Sequence, residues 1–324
     1  MRLVKMGALV AAMLTIGAAP TSASPVVVGH PIGGVFAQGE AIQASTVANL
    51  RLSDPGALST SPVTGAVITL RLFRPNGTFR LRVLHPSGSG YVATASSPPF
   101  PTASDGIQFV PVAVPIQAGD AIGLDLSQGA TLDVEVKKTE PLTALWSPPL
   151  PDGGTTSPFE ASDEIEFGYA AVVQPAPTLA SIAPAAGPIS GGTTVTITGS
   201  DYNQVTGVKF GSVPAKTFTQ GVKGVMTAVA PPYSAGPADV TVTTVAGTTP
   251  LVATDKFTYE ACVVPKLKGK KLKAAKERLR KAGCKVGKVK LRGDATAKTA
   301  KVVKQSSKPH RELPPGAKVA IALG

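Results

Sequence analysis

Gly191-Gly192-Thr193-Thr194-Val195-Thr196-Ile197-Thr198-Gly199 is the stretch on which the reading of this chain turns. Val195, Ile197 and Gly199 alternate with Thr194, Thr196 and Thr198, the period of two that a strand with one buried face requires. The paired glycines ahead of it permit the tight turn that sends the chain into that strand. Val240 and Val242 repeat the alternation downstream. Across the chain, 30 prolines and 34 glycines in 324 residues punctuate the sequence as many short strands joined by turns would, and they oppose long helices. With 43% apolar and 16% charged residues, the chain is neither disordered in bulk nor a coiled coil. Its length allows two or three domains, each with its own core.

Around that strand a longer pattern emerges. It runs from Pro177-Thr-Leu-Ala-Ser-Ile-Ala-Pro184 through Gly187-Pro188 and Gly191-Gly192-Thr193 to Val195-Thr-Ile-Thr-Gly199. Val208-Lys-Phe-Gly211, Ala230-Pro-Pro232, Gly236-Pro-Ala-Asp-Val-Thr-Val242 and Phe257-Thr-Tyr259 follow. In this order residues 175–259 resemble the IPT/TIG family, immunoglobulin-like domains found in bacterial surface proteins, some secreted enzymes and certain receptors and transcription factors. Tyr202 departs from the pattern where a Phe is usual. The resemblance implies an immunoglobulin-like β-sandwich that serves as a spacer or an interaction platform.

The C-terminal segment differs in composition. Residues 261–324 hold 15 Lys and 4 Arg against Glu277, Asp294 and Glu312, a net +16, whereas residues 24–260 hold 11 basic and 17 acidic residues, a net −6. Such asymmetry marks a separate module with its own partner or surface role. Leu272, Ala275, Leu279 and Ala282 fall within an arc of about 80° on a helix, an apolar stripe able to lie on a small sheet. Lys270, Lys273, Glu277, Arg280 and Lys281 fall opposite, and Gly283 stands where a helix would end.

Val264-Pro265-Lys-Leu-Lys-Gly269, the helical stripe, Val286-Gly287, Val303-Lys-Gln305 and Pro315-Gly316-Ala-Lys-Val319 together resemble a single PASTA domain. That module is carried outside the cell by bacterial serine/threonine kinases and penicillin-binding proteins, and the resemblance implies a small α+β fold and peptidoglycan-type ligands. Gln305-Ser306-Ser307-Lys308-Pro309 departs from the family's Gln-Ser-Pro and implies a longer turn. The chain's two cysteines, Cys262 and Cys284, lie just before the opening Val-Val-Pro and just past the helix. In an exported protein they read as a disulfide, worth roughly 3 kcal/mol for the loop it closes. With only His310 as a distant third donor, they fall short of a metal-ligand set.

Residues 24–174 resemble no family, but their alternation reads as a β-sandwich or jelly roll. Val67–Leu72 and Phe79–Leu84 read as two strands joined by a hairpin at Pro75-Asn76-Gly77, and 107–114, 121–126, 131–136 and 164–169 continue the series. Trp146, the single tryptophan, and Tyr91 are the aromatics that a sugar-binding face would use, although either could serve as packing. Asp163 and Glu164 with Glu166 read as a solvated strand face or a cation site. His30, His85 and His310 lie in three different segments, and none stands in a nucleophile, zinc or acid/base motif.

At the N-terminus Arg2 and Lys5 precede an apolar run from Met6 to Ala19 and the small residues Thr21-Ser22-Ala23, so residues 1–23 read as a signal peptide. The later sequence holds no run long enough to span a bilayer. The mature chain is thus expected to be secreted or wall-associated, mostly β, non-catalytic and without cofactor. It is expected to bind peptidoglycan or an anionic wall polymer through Lys270, Lys273, Arg280 and Lys281. The alternative is a secreted protein that binds or hydrolyses glycans through residues 24–174, and the β domains have room for a glycan or protein partner. Nucleic acid is not expected, since the tail has no aromatic residue to stack on bases.

Overall fold

The computed structural model describes residues 24–324 apart from 33, 40, 138–139, 159, 223 and 293–298; the signal-peptide reading, 1–23, lies outside these described residues. Among the described residues the chain is mostly β, with 55% strand and a single α-helix. Among these residues three main hydrophobic cores follow one another along the chain, and a fourth, smaller cluster that includes Ala48, Leu84, Ala121, Trp146 and Leu150 lies within the first unit.

The first is a sandwich of two antiparallel sheets. One has the order Val26–Gly29, Tyr169–Pro175, Gly65–Phe73, Ile107–Ile116. The other has Thr155–Thr156, Gly90–Ser96, Asn76–Ser87, Ala121–Leu126, Ser45–Arg51, Leu142–Trp146 and Glu160–Ser162, with Phe100–Ala103 also pairing to Asn76–Ser87. Leu70, Leu72 and Val173 from one sheet meet Phe79, Leu81, Leu124 and Val47 from the other in one continuous core. Prolines 111 and 115 both lie on the edge strand Ile107–Ile116, where a missing N–H breaks no inner ladder. Tyr169 ties the layers together: its hydroxyl donates to the Ile122 carbonyl and accepts from the Asn49 N–H, both at 2.9 Å.

The hairpin expected at Pro75-Asn76-Gly77 does not form. Gly65–Phe73 pairs with Ile107–Ile116 and Tyr169–Pro175, while Asn76–Ser87 pairs in the opposite sheet, so the link at 74–75 crosses between layers. Alternation shows that each strand has one buried face, but that face can belong to either layer. The link begins with Arg74 in the left-handed region at φ 43°.

The second core lies within an immunoglobulin-like sandwich. Thr178–Ala183, Thr194–Ser200, Val225–Val229 and Thr217–Gln220 form one sheet; Ala186–Pro188, Lys256–Glu260, Gly236–Thr244, Val205–Phe210 and Val213–Pro214 form the other. Val195, Ile197, Val240 and Val242 point inward at 0% exposure, as their alternation requires. Gly191 and Gly192 adopt φ of 70° and 90° at the turn before Thr194–Ser200. A Cβ on Gly191 would lie 2.5 Å from the Pro231 carbonyl carbon, so backbone packing as well as conformation demands glycine there.

In the third unit the helix α1, Leu272–Lys281, lies on a sheet ordered Lys285–Leu291, Lys318–Leu323, Val302–Gln305. Ala275 and Leu279 are fully buried against Val319, Ile321 and Leu323. Arg278, Arg280 and Lys281 crowd the last turn, where cations complement the helix dipole, and Gly283 at φ 70° ends it. Cys262 and Cys284 are disulfide-bonded, joining the strand Cys262–Val263 to the end of the helix.

Candidate functional site

The sheet of the third unit has two faces, and the helix covers only one. Along Lys318–Leu323, Val319, Ile321 and Leu323 face the helix, so the small side chains of Ala320 and Ala322 floor the other side. Lys288, Lys290 and Arg292 rise from one neighbouring strand and its end, and Lys304 from the other. Together they line a groove of about 320 Å³ with Ala320, Ala322, Gln305 and Ser306. The floor is low because alanine stands at two of the three outward positions of the central strand, 320 and 322.

Backbone geometry holds the groove open. Lys285–Leu291 runs parallel to Lys318–Leu323 and Val302–Gln305 antiparallel, so both basic strands are hydrogen-bonded to the alanine-bearing one. Gln305 is engaged away from solvent: its amide oxygen accepts the Leu267 N–H at 2.9 Å, and its amide nitrogen donates to the carbonyls of Pro265 and Ser307 at 3.2 and 2.8 Å. Ser306 accepts the Ala320 N–H at 3.0 Å, which stitches the departure from Gln-Ser-Pro into the sheet rather than leaving it as a free loop.

The four cations expected on the helix divide. Lys273, Arg280 and Lys281 are exposed on α1, and Lys281 pairs with Glu277 at 3.2 Å. Lys270 is not on the helix: it lies before the N-cap Lys271, half-buried, and its carbonyl accepts the Val302 N–H at 2.9 Å. The bridge between Lys271 and Lys301 holds this segment extended, which delays the first helical turn to Leu272.

In the first domain, Trp146 is 2% exposed, its indole N–H donates to the Thr156 carbonyl at 3.2 Å, and Tyr91 packs edge-on at 6.0 Å. The indole therefore offers no stacking face to solvent. Asp163 and Glu164 are exposed, but Glu166 is fully buried, which corrects the solvated-face reading for that residue. His85 sits within Asn76–Ser87, with Nδ1 2.7 Å from Asp120 Oδ1.

Glu166 belongs to a cluster that spacing in the sequence did not reveal. His30 Nε2 lies 2.8 Å from Glu135 Oε2, 3.5 Å from Glu166 Oε2 and 3.8 Å from Asp54 Oδ2. Lys137 Nζ reaches Asp54 at 2.8 Å and Glu135 at 3.2 Å. Ser53 donates both its N–H and its hydroxyl to Glu166 Oε1, at 2.7 and 2.6 Å. Burial holds the His30 imidazole below its usual range, against the pull of Glu166 and Glu135. Burial also pulls at the Lys137 ammonium, but its hydrogen bonds to Asp54 and Glu135 outweigh that and raise it. Composition gave no hint either, since residues 24–174 hold 13 acidic residues and two histidines and nothing in their spacing sets His30, Asp54, Glu135 and Glu166 apart.

No curated protein matches the chain. A solved structure of the Plexin A4 full extracellular region, domains 1 to 10, is similar at 19% identity and a TM-score of 0.24 over 64% of this chain. The match spans 17% of that chain and is too loose to carry an argument. Residues 177–259 match the IPT/TIG domain and residues 263–324 the PASTA domain, so the chain carries an IPT/TIG domain followed by a single PASTA domain.

Proposed function

We propose that this is an exported, non-catalytic cell-envelope protein that binds peptidoglycan or an anionic wall polymer through its PASTA domain, with the groove on the open face of the sheet as the contact surface. IPT/TIG and PASTA domains are binding or interaction domains, and PASTA domains are linked to peptidoglycan in the cell envelope. The observation that carries the reading is the convergence of Lys288, Lys290, Arg292 and Lys304 on one alanine-floored groove. An extended polyanion lying along the strands would meet cations on both sides and little steric obstruction below, and it would release counterions on binding. Lys273, Arg280 and Lys281, on the helix, add to the positive field that draws such a polymer in. The disulfide fits an oxidising compartment, and no helix among the described residues is long and apolar enough to cross a membrane.

Co-sedimentation of the full chain with purified cell wall, before and after chemical removal of its anionic polymers, tests the proposal. Retention on the intact wall is expected at low salt. Failure to sediment with either preparation would refute it.

A further inference from the structure

We propose that the first domain binds a divalent transition-metal ion of the zinc class through His30, Asp54 and Glu166, with Glu135 beside them. Candidate ligand atoms of His30, Asp54 and Glu166 all lie within 4.8 Å of one another. His30 Nε2 is 3.5 and 3.8 Å from the nearest oxygens of Glu166 and Asp54. Donor atoms bound to one zinc ion at 2.0–2.1 Å in tetrahedral geometry are separated by roughly 3.3 Å, so the trio is close to the required spacing.

Two further observations point to a cation rather than a closed polar network. His30 is 1% exposed and Glu166 0%, yet His30 Nε2, Glu166 Oε2 and Glu135 Oε2 have no hydrogen-bond partner. The 2.8 Å approach of His30 Nε2 to Glu135 Oε2 lies off the ring N–H direction, the relation expected of two lone pairs turned toward a third atom. In addition, Glu135 and Glu166 are direct cross-strand partners, an arrangement of like charges that destabilises a sheet unless something positive lies between them. Lys137 supplies one charge, on Asp54 and Glu135. Three carboxylates, one ammonium and a neutral imidazole leave a net −2, which a dication would cancel.

The surroundings suit such a site. Ser53 fixes Glu166 through Oε1 and leaves Oε2 turned to His30, the role that outer hydrogen bonds play at metal ligands. Phe36 packs edge-on against the imidazole at 5.1 Å. Asp54, whose side chain is 34% exposed, provides the route in from solvent. A His with carboxylates favours zinc or a similar first-row ion over calcium or magnesium. Bound there, the ion would tie together four segments: the end of Val26–Gly29, the loop after Ser45–Arg51, Val134–Val136 and Ile165–Phe167.

Trp146 is the only tryptophan and lies in this domain, so its fluorescence reports the domain's melting within the intact chain. The full chain is stripped with EDTA and titrated with Zn²⁺, its metal content is measured after gel filtration, and the Trp146 transition is followed. One zinc per chain is expected, with the transition raised by roughly 5–10 °C at a hundredfold excess over Kd. Glu166→Gln and the partly exposed Asp54→Asn should each lose both the zinc and the shift. His85→Gln, at the separate Asp120 pair, should keep both. Without zinc, Glu166→Gln should melt no lower than wild type, since the amide oxygen can keep both Ser53 hydrogen bonds while a buried carboxylate opposite Glu135 is removed. Less than stoichiometric zinc in the wild-type chain, or a shift that persists in Glu166→Gln and Asp54→Asn, would overturn the proposal.

Discussion

Reducing the Cys262–Cys284 bond should loosen the PASTA domain by an amount that its loop length sets. The two cysteines are 22 residues apart in sequence, and both are buried, at 0% and 5% exposure. On the chain-entropy account, opening a loop of this size restores about 11 cal/mol/K to the unfolded chain, which is roughly 3.4 kcal/mol at 25 °C. That corresponds to a factor of about 300 in the opening equilibrium. For a domain of this size the melting point should fall by roughly 14–27 °C. The domain lacks aromatic residues, so fluorescence cannot follow it, but it holds the helix α1. Hydrogen exchange of the Leu272–Lys281 amides in the full chain, with and without reductant, is therefore the appropriate assay. Exchange of the innermost helical amides should accelerate by about 100- to 1,000-fold on reduction, while the strand Thr194–Ser200 in the neighbouring domain stays unchanged. Equal protection with and without reductant would refute the reasoning.

Other outcomes follow from single contacts. Gly191→Ala should destabilise the IPT/TIG domain by about 2 kcal/mol or more, because its Cβ meets the Pro231 backbone, whereas Gly192→Ala meets nothing within 4 Å and should cost only about 1 kcal/mol of backbone strain; denaturant melts of the two variants check the difference. Tyr169→Phe strands the buried Asn49 N–H and Ile122 carbonyl and should cost the first domain about 2–4 kcal/mol, read by Trp146 fluorescence in urea. Burial, with Tyr233 stacked alongside, pushes the Tyr259 phenol up to about 12, and an unfolded phenol ionises near 10. The folded form thus favours the neutral phenol, so that stability is intact below pH 10 and is lost as pH rises through 12. Tyr259→Phe should flatten that alkaline loss in a calorimetric series and cost little at pH 7, because the Tyr259 hydroxyl has no hydrogen-bond partner to lose.

What was legible in the sequence was what local periodicity controls. Alternation placed Val195, Ile197, Val240 and Val242 inside, and the spacing of Ala275 and Leu279 identified the helix face that packs on the sheet. Alternation could not decide which sheet a strand enters, so Gly65–Phe73 and Asn76–Ser87 read as a hairpin although they lie in opposite layers. Helical spacing directed attention to Lys273, Arg280 and Lys281, while the groove of Lys288, Lys290 and Lys304 depends on a parallel pairing between strands separated by a third and on the alanines between them. The His30 cluster was hidden for a related reason. Its members stand at positions 30, 54, 135, 137 and 166, and only sheet register brings Glu135 opposite Glu166 and both next to His30.

The claim that the sheet groove makes the contact is tested most directly by comparing two charge-reversed forms of the full chain on purified cell wall. One carries Lys288→Glu, Lys290→Glu and Lys304→Glu in the groove; the other carries Lys273→Glu, Arg280→Glu and Lys281→Glu on the helix. Both sets are exposed, so both forms should keep the wild-type hydrogen-exchange protection of the helix. Wild-type retention should weaken on the order of 10- to 100-fold between 50 and 200 mM salt, as four cation contacts would. The groove form should lose retention even at the lower salt, and the helix form should keep most of it. Full retention of the groove form, with loss confined to the helix form, would contradict the account.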